Sequence, residues 1–353
     1  MAFIKRLCII FGGVSSEHEV SLMSAASVIS NIDRTLFEVV MLGITKDGRW
    51  LLYEGAVEDI KSGKWQSSPN LKPAVISPDR GHGGIILPGE NRTIPVDVVF
   101  GVLHGLGGED GTLQGLLELA GIPYVGCGVL SSALCMDKGF AHIVLTAAGI
   151  PKVKLHTIYA GEERDLALLE RQLAQSLGYP MFVKPANSGS SVGVSKVSAP
   201  NDLEAALSLA FIHDRKVIVE EAVLGQEVEC SVIGSDRPVA SEVLGEIVPA
   251  DFYDYQSKYQ DDSAQLIVPA KVDEKTAAKI RELALKAYKA MECKGFARID
   301  FFVRKDGQVI LNEINTIPGF TQISMFPRMF IESGMSYKEI VTRLVNLALD
   351  KEE

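Results

Sequence analysis

Four polar residues occupy alternate positions in two apolar runs near the C-terminus. Arg298 and Asp300 punctuate Arg298-Ile299-Asp300-Phe301-Phe302-Val303, and Glu313 and Asn315 punctuate Val309-Ile310-Leu311-Asn312-Glu313-Ile314-Asn315. Asp306-Gly307 between the runs is a strong two-residue hairpin signal. With those two as the whole loop, residue 305 pairs with 308, so Asp300 faces Glu313 and Arg298 faces Asn315. The strand period of two then puts all four side chains on one face. Opposed carboxylates with Cβ atoms about 5 Å apart repel, so the face calls for a cation. Oxygens from Asp300, Glu313 and Asn315 suit Mg²⁺, which leaves its other positions to water and phosphate oxygens. A solvated face with alternate charges is the plainer reading of the hairpin alone. The other segments favour a metal–nucleotide site.

Three glycine-rich segments follow apolar runs. Neither a Gly-Lys-Ser/Thr phosphate loop nor a GxGxxG fingerprint is present. In the first, 12–21, Ser16 and Glu19 fit a capping box opening a helix just after a strand. That is where ligands bind in doubly wound sheets. Glu17 there either complements the helix dipole or binds an ammonium group. In the second, 104–115, four glycines in eight residues let backbone approach a ligand, with His104 at the strand end. In the third, 184–194, Lys184 ends a strand before a Gly/Ser loop. That suits phosphate, or a lid that excludes water; a mobile surface turn is the bland alternative. Glu220, Glu221 and Val223 end another strand with backbone able to read an adenine edge, and Glu227 could accept from ribose hydroxyls. The tyrosine-rich stretch 253–259 either serves the site or packs on a neighbour. Gly319, just past the metal strand, can offer its N–H to an oxyanion, with Arg298 supplying charge.

These residues need a frame. The first third alternates strands (7–11, 39–44, 96–103) with helices (17–29, 112–120), predicting a parallel sheet covered on both faces. A helical run follows at 131–148, then strands at 180–185 and 192–197, and a hairpin of 217–221 with 227–233 around Gly225. A long irregular stretch, 249–265, is of a kind that is usually functional. Helices at 274–291 and 336–349 flank the metal hairpin. With 353 residues, two or three domains are expected. A net charge of −10 argues against nucleic acid as partner. Five scattered cysteines without CxxC spacing indicate a reducing compartment, and no window resembles a signal peptide or membrane span. A cytoplasmic protein is expected.

In order along the chain, GGVSSEHEVS, HGLGGEDGTLQG, VKPANSGSSVGV, EEAVLGQEVE, YDYQSKY, RIDFF and NEINTIPGFT resemble the D-alanine–D-alanine ligases of the ATP-grasp superfamily, from residue 11 to about residue 328. The resemblance implies an α/β protein, α+β in its C-terminal part. An ATP-grasp fold would follow a doubly wound parallel-sheet N-terminal domain. The units would be residues 1–130 (substrate binding), 131–216 (central) and 217–353 (metal-binding). The activity implied is ATP-dependent joining of two D-alanines through a D-alanyl phosphate, for peptidoglycan precursors, by a homodimer that binds no membrane.

It also implies roles. Lys138, Lys184, Ser191 and Asn312 would contact ATP, with Glu220, Glu221, Val223 and Glu227 around the adenosine. Asp300, Glu313 and Asn315 would bind two Mg²⁺ or Mn²⁺ ions. Glu17, Ser190 and Tyr259 would orient the first D-alanine, with His104 nearby, and Lys258 would hold the phosphate in transfer. Arg298 and Gly319 would stabilise the oxyanion, and Ser324 with Met325 would receive the second D-alanine's carboxylate. Alternatives are a D-serine or D-lactate ligase, disfavoured for D-lactate by Lys258-Tyr259, another carboxylate–amine ligase, or a regulator without turnover.

Overall fold

A computed structural model of the protein describes residues 4–248 and 265–350. Lys258 and Tyr259 lie outside the described residues. The first strand, Lys5–Gly12, is buried on both faces. Leu7, Ile9 and Phe11 enter one core, while Cys8 and Ile10 enter another. This continuous apolar run is what a strand covered on both faces requires. It pairs in parallel with Phe37–Ile44 and Val98–Val102. Beyond the parallel centre the sheet is extended antiparallel by Trp50–Tyr53 and Lys72–Pro73. Helices His18–Asn31 and Tyr337–Ala348 supply one core, and Thr112–Ala120 the other. The chain's last helix thus returns to the first sheet.

Besides a small antiparallel sheet of Val75–Ile76, Gly84–Leu87 and Arg92–Pro95, two larger antiparallel sheets follow. One runs Ser195–Val197, Met181–Pro185, Lys216–Glu221, Leu155–Tyr159. The other runs Gln265–Ile267, Gly245–Val248, Gly225–Ile233, Phe296–Arg304, Val309–Asn315, with helix Glu274–Ala290 sharing its core. Three expectations are corrected here. Strands Lys216–Glu221 and Gly225–Ile233 are not a hairpin but belong to different sheets, so the residues between them bridge the two. The run 131–148 is two helices, Val129–Met136 and Lys138–Ala147, bent by 104°. Asp137 stops the first and caps the second, accepting from the N–H of Gly139 and Phe140 at 3.0 Å each. The capping box at Ser16 gives way to a helix opening at His18 with Glu17 in the N-cap position, and Glu19 ion-pairs with Lys46.

The metal hairpin keeps its expected pairing by a different route. Arg304 N donates to Gln308 O, so the turn holds three residues, with Gly307 at φ +83°. This places Val303 opposite Val309 and Phe301 opposite Leu311. Asn312 is then an extra residue, a β-bulge, after which Asp300 faces Glu313 and Arg298 faces Asn315.

Candidate active site

The hairpin, the three glycine-rich segments and the segment after Asn315 meet at one cavity of about 70 Å³. Glu17, His104, Ser190, Arg298, Glu313 and Gly319 line it. Glu17 is only 7% exposed and sits between two glycines. A Cβ on Gly105 would lie 2.6 Å from its Oε2, and one on Gly189 2.7 Å from the same atom. Ser190 and Ser191 both adopt left-handed backbone, at φ +50° and +58°, which costs about 1 kcal/mol or more per residue. That turn aims the Ser190 hydroxyl at Glu17 Oε1, to which it donates. A small, walled carboxylate of this kind fits a compact ammonium group.

His104 has both ring nitrogens engaged. Nδ1 is 2.9 Å from Ile317 O and Nε2 is 2.9 Å from Ser24 Oγ. Burial holds its pKa below the usual imidazole value, so the ring is neutral. Ser24 Oγ also accepts from Phe320 N. The consistent assignment has Nδ1–H donating to Ile317 O and the Ser24 hydroxyl donating to Nε2. His104 thus braces the segment carrying Gly319. Phe320 anchors that segment, packing edge-on to Phe100, Phe296 and Tyr337 at 5.6–5.8 Å between ring centroids.

Sequence reading missed Glu109, Ser24 and Lys152. Glu109 accepts from Gly105 N at 2.8 Å and Ile317 N at 3.0 Å, stitching segments 208 residues apart. Burial and the nearby Glu17 push its pKa up to about 8, against the pull of those two donors. Its place in the glycine-rich second segment was the available signal. Partner choice in the third dimension was not.

On the hairpin face that carries Glu313 and Asn315, Arg298 grips Asp300 bidentately, at 2.8 and 2.7 Å, and reaches Glu229 at 3.1 Å. Asn315 Nδ2 donates to Asp300 Oδ2 at 2.9 Å. Among the described residues no group of three or more His, Cys, Asp or Glu could hold a metal. Two carboxylates and an amide nevertheless fit a hard divalent ion bound largely through water and phosphate. Turning the Asn315 amide over would present its oxygen.

Lys138 Nζ donates to Ser188 O at 2.6 Å and lies 4.0 Å from Glu313. Lys184 pairs with Glu220 at 2.5 Å. Both line a small apolar-walled cavity with Lys152, Asn312 and Glu313. Burial lowers the Lys152 pKa to about 8. Glu221 is taken by Lys154 N and Arg304, at 3.0 and 3.2 Å. A larger cavity, about 730 Å³, shares Arg298, Glu313 and Gly319 and adds Glu227, Ser324 and Met325. Ser324 sits at the N-cap position of the helix Met325–Glu332, and its hydroxyl accepts from Thr321 N at 3.0 Å instead of from the helix. The structure thus gathers most of the expected residues it describes around three cavities that share lining residues. Ser191, Glu221 and Val223 line none of the three.

Known proteins resemble the chain over nearly its whole length. The family description "D-ala D-ala ligase N-terminus" matches residues 6–127, and "D-ala D-ala ligase C-terminus" matches 144–346. The chain is 48% identical to a D-alanine–D-alanine ligase of Caldicellulosiruptor bescii, over 98% of this chain and 95% of the relative. It is equally 48% identical to one from Acetivibrio thermocellus, over 98% and 96%. Among solved structures, a D-Ala:D-Ser ligase from Enterococcus faecalis superposes with a TM-score of 0.89 at 42% identity, covering 98% of this chain and all of that one. A D-alanine–D-alanine ligase from Coxiella burnetii gives 0.88 at 34% identity, covering 99% and 94%.

Proposed function

The chain belongs to the D-alanine–D-alanine ligase family, and we propose from that premise how its residues divide the work. The protein joins two D-alanines at the expense of ATP, for peptidoglycan synthesis. The observation that carries the residue assignment is the convergence of Glu17, Arg298, Glu313, Asn315 and Gly319 on one cavity of about 70 Å³, with Asp300 paired to Glu313 across the hairpin.

Glu17, held by Ser190, takes the ammonium of the first D-alanine and points its carboxylate toward Arg298. Lys138, Lys184 and Lys258 hold the phosphates of ATP, with Glu220–Val223 and Glu227 about the adenosine. Asp300, Glu313 and Asn315 would hold two Mg²⁺ or Mn²⁺ ions, whose charge would offset that on the transferring phosphoryl group. Carboxylate attack on the γ-phosphate gives an acyl phosphate and ADP. The amine of the second D-alanine, its carboxylate received by Ser324 and Met325, then attacks the carbonyl. Arg298 and the Gly319 N–H stabilise the resulting oxyanion, which expels phosphate. The Ser190 turn and Tyr259 keep water from the intermediate. Among the described residues no single helix is long and apolar enough to cross a membrane. A cytoplasmic homodimer is the setting that goes with this reading.

The test is isotopic. D-Alanine labelled with ¹⁸O in its carboxylate transfers one labelled oxygen to the released phosphate. Unlabelled phosphate alongside labelled dipeptide would refute the acyl phosphate route.

A further inference from the structure

The bulge at Asn312 decides which way the metal ligands face. Without it, the pairing of Phe301 with Leu311 would continue as Asp300 with Asn312 and Ile299 with Glu313. Glu313 and Asn315 would then turn to the face of Ile299 and Phe301, which are 0% and 1% exposed. One inserted residue therefore separates a metal face from a pair of buried, unmatched polar groups.

Something must hold that residue, because a bulge interrupts the ladder that otherwise fixes a strand. The holder comes from a distant part of the chain. Pro151-Lys152 lies alongside the bulge in a parallel bridge, with Lys152 paired to Leu311. Leu311 N donates to Pro151 O at 2.9 Å. The Lys152 ammonium donates to the carbonyl of Asn312 itself. Lys152 also shares the small cavity with Lys138, Lys184, Glu220 and Glu313, so its stem is packed rather than free to swing.

We propose that Lys152 is a positioning residue for the divalent metal: it clamps the Asn312 bulge and so keeps Glu313 and Asn315 on the face of Asp300. This rests on the ligase reading for the identity of the ligand, and on the hairpin geometry alone for the clamp. Lys152 touches neither metal nor amino acid in this role.

Lys152→Met keeps the stem and deletes the donor, whereas Lys152→Arg keeps a charged donor. A charge-assisted hydrogen bond is worth roughly tenfold or more in an equilibrium. Mn²⁺ binding, followed by electron paramagnetic resonance in the presence of ADP, should weaken roughly tenfold in Lys152→Met. It should recover to within about threefold of wild type in Lys152→Arg. ADP binding in EDTA should stay within about threefold of wild type in both, because the clamp acts on the metal ligands. Wild-type Mn²⁺ affinity in Lys152→Met would overturn the proposal. So would parallel loss of metal-dependent and metal-free ADP binding, which would make Lys152 an ordinary phosphate contact. Should Lys152→Met fail to fold, Lys152→Leu, which also lacks the donor, carries the same expectation. The Mn²⁺ titration decides the clamp even if D-alanine elicits no ADP formation, an outcome that would count against the ligase reading only.

Discussion

Replacing Gly189 by alanine tests the walled carboxylate at the centre of the site. The new Cβ would stand 2.7 Å from Glu17 Oε2, where ordinary contact begins at 3.4 Å. The carboxylate must therefore withdraw by about 0.7 Å. It cannot move freely, since Gly105 closes the opposite side, with a Cβ position only 2.6 Å from the same oxygen. Gly189 needs no left-handed backbone, so alanine adds steric bulk without strain; Gly105, at φ +71°, would confound the two. Misplacing the ion pair to the substrate ammonium forfeits about 1.5–3 kcal/mol, the usual worth of a hydrogen bond to a charged group. That is roughly 10- to 150-fold in kcat/KM for the first D-alanine. The assay is phosphate release at subsaturating D-alanine and saturating ATP, paired with the KM for ATP, which should change by less than about twofold. Gly115→Ala is the control, since nothing lies within 4 Å of its Cβ position in helix Thr112–Ala120. Unchanged kcat/KM for D-alanine in Gly189→Ala would refute the reasoning, as would an equal loss for ATP.

Glu313→Gln should lower kcat/KM for Mg-ATP by roughly 100-fold or more while leaving ADP binding in EDTA intact; wild-type turnover at saturating Mg²⁺ would contradict the metal role. His104→Ala removes two hydrogen bonds bracing residues 317–320, each worth about 1 kcal/mol. Its kcat should fall roughly tenfold with the KM for ATP unmoved, as steady-state kinetics would show. Glu109, raised to about 8, stays protonated in the folded protein where the unfolded chain has already released its proton. Unfolding then releases a proton between about pH 4.5 and 8, so this group's contribution to stability falls as pH rises through that window. Thermal melts of Glu109→Gln should gain on wild type from pH 5 to 8; a constant offset across that range would refute the shift.

The site was more legible in the sequence than the fold around it. Residue types at alternate positions put Arg298, Asp300, Glu313 and Asn315 on one face, and the right pairing followed from two one-residue differences that cancel. The turn holds three residues instead of two, and the bulge at Asn312 restores the count. Bulges leave no local mark that periodicity can read. The break at Asp137 was hidden because an N-cap inside a long helical run looks like one more polar residue. Strands Lys216–Glu221 and Gly225–Ile233 are close enough in sequence to suggest a hairpin, and only the sheets they join reveal otherwise. Glu109, Ser24 and Lys152 act through backbone partners 160 to 296 positions away, and no spacing rule reaches that far.

The most direct test of the central claim supplies the protein with ATP, Mg²⁺ and D-alanine and follows ADP and dipeptide together. The account predicts D-alanyl-D-alanine and ADP formed one for one, with no ADP when L-alanine replaces D-alanine. ADP without dipeptide, or silence with D-alanine, would contradict it.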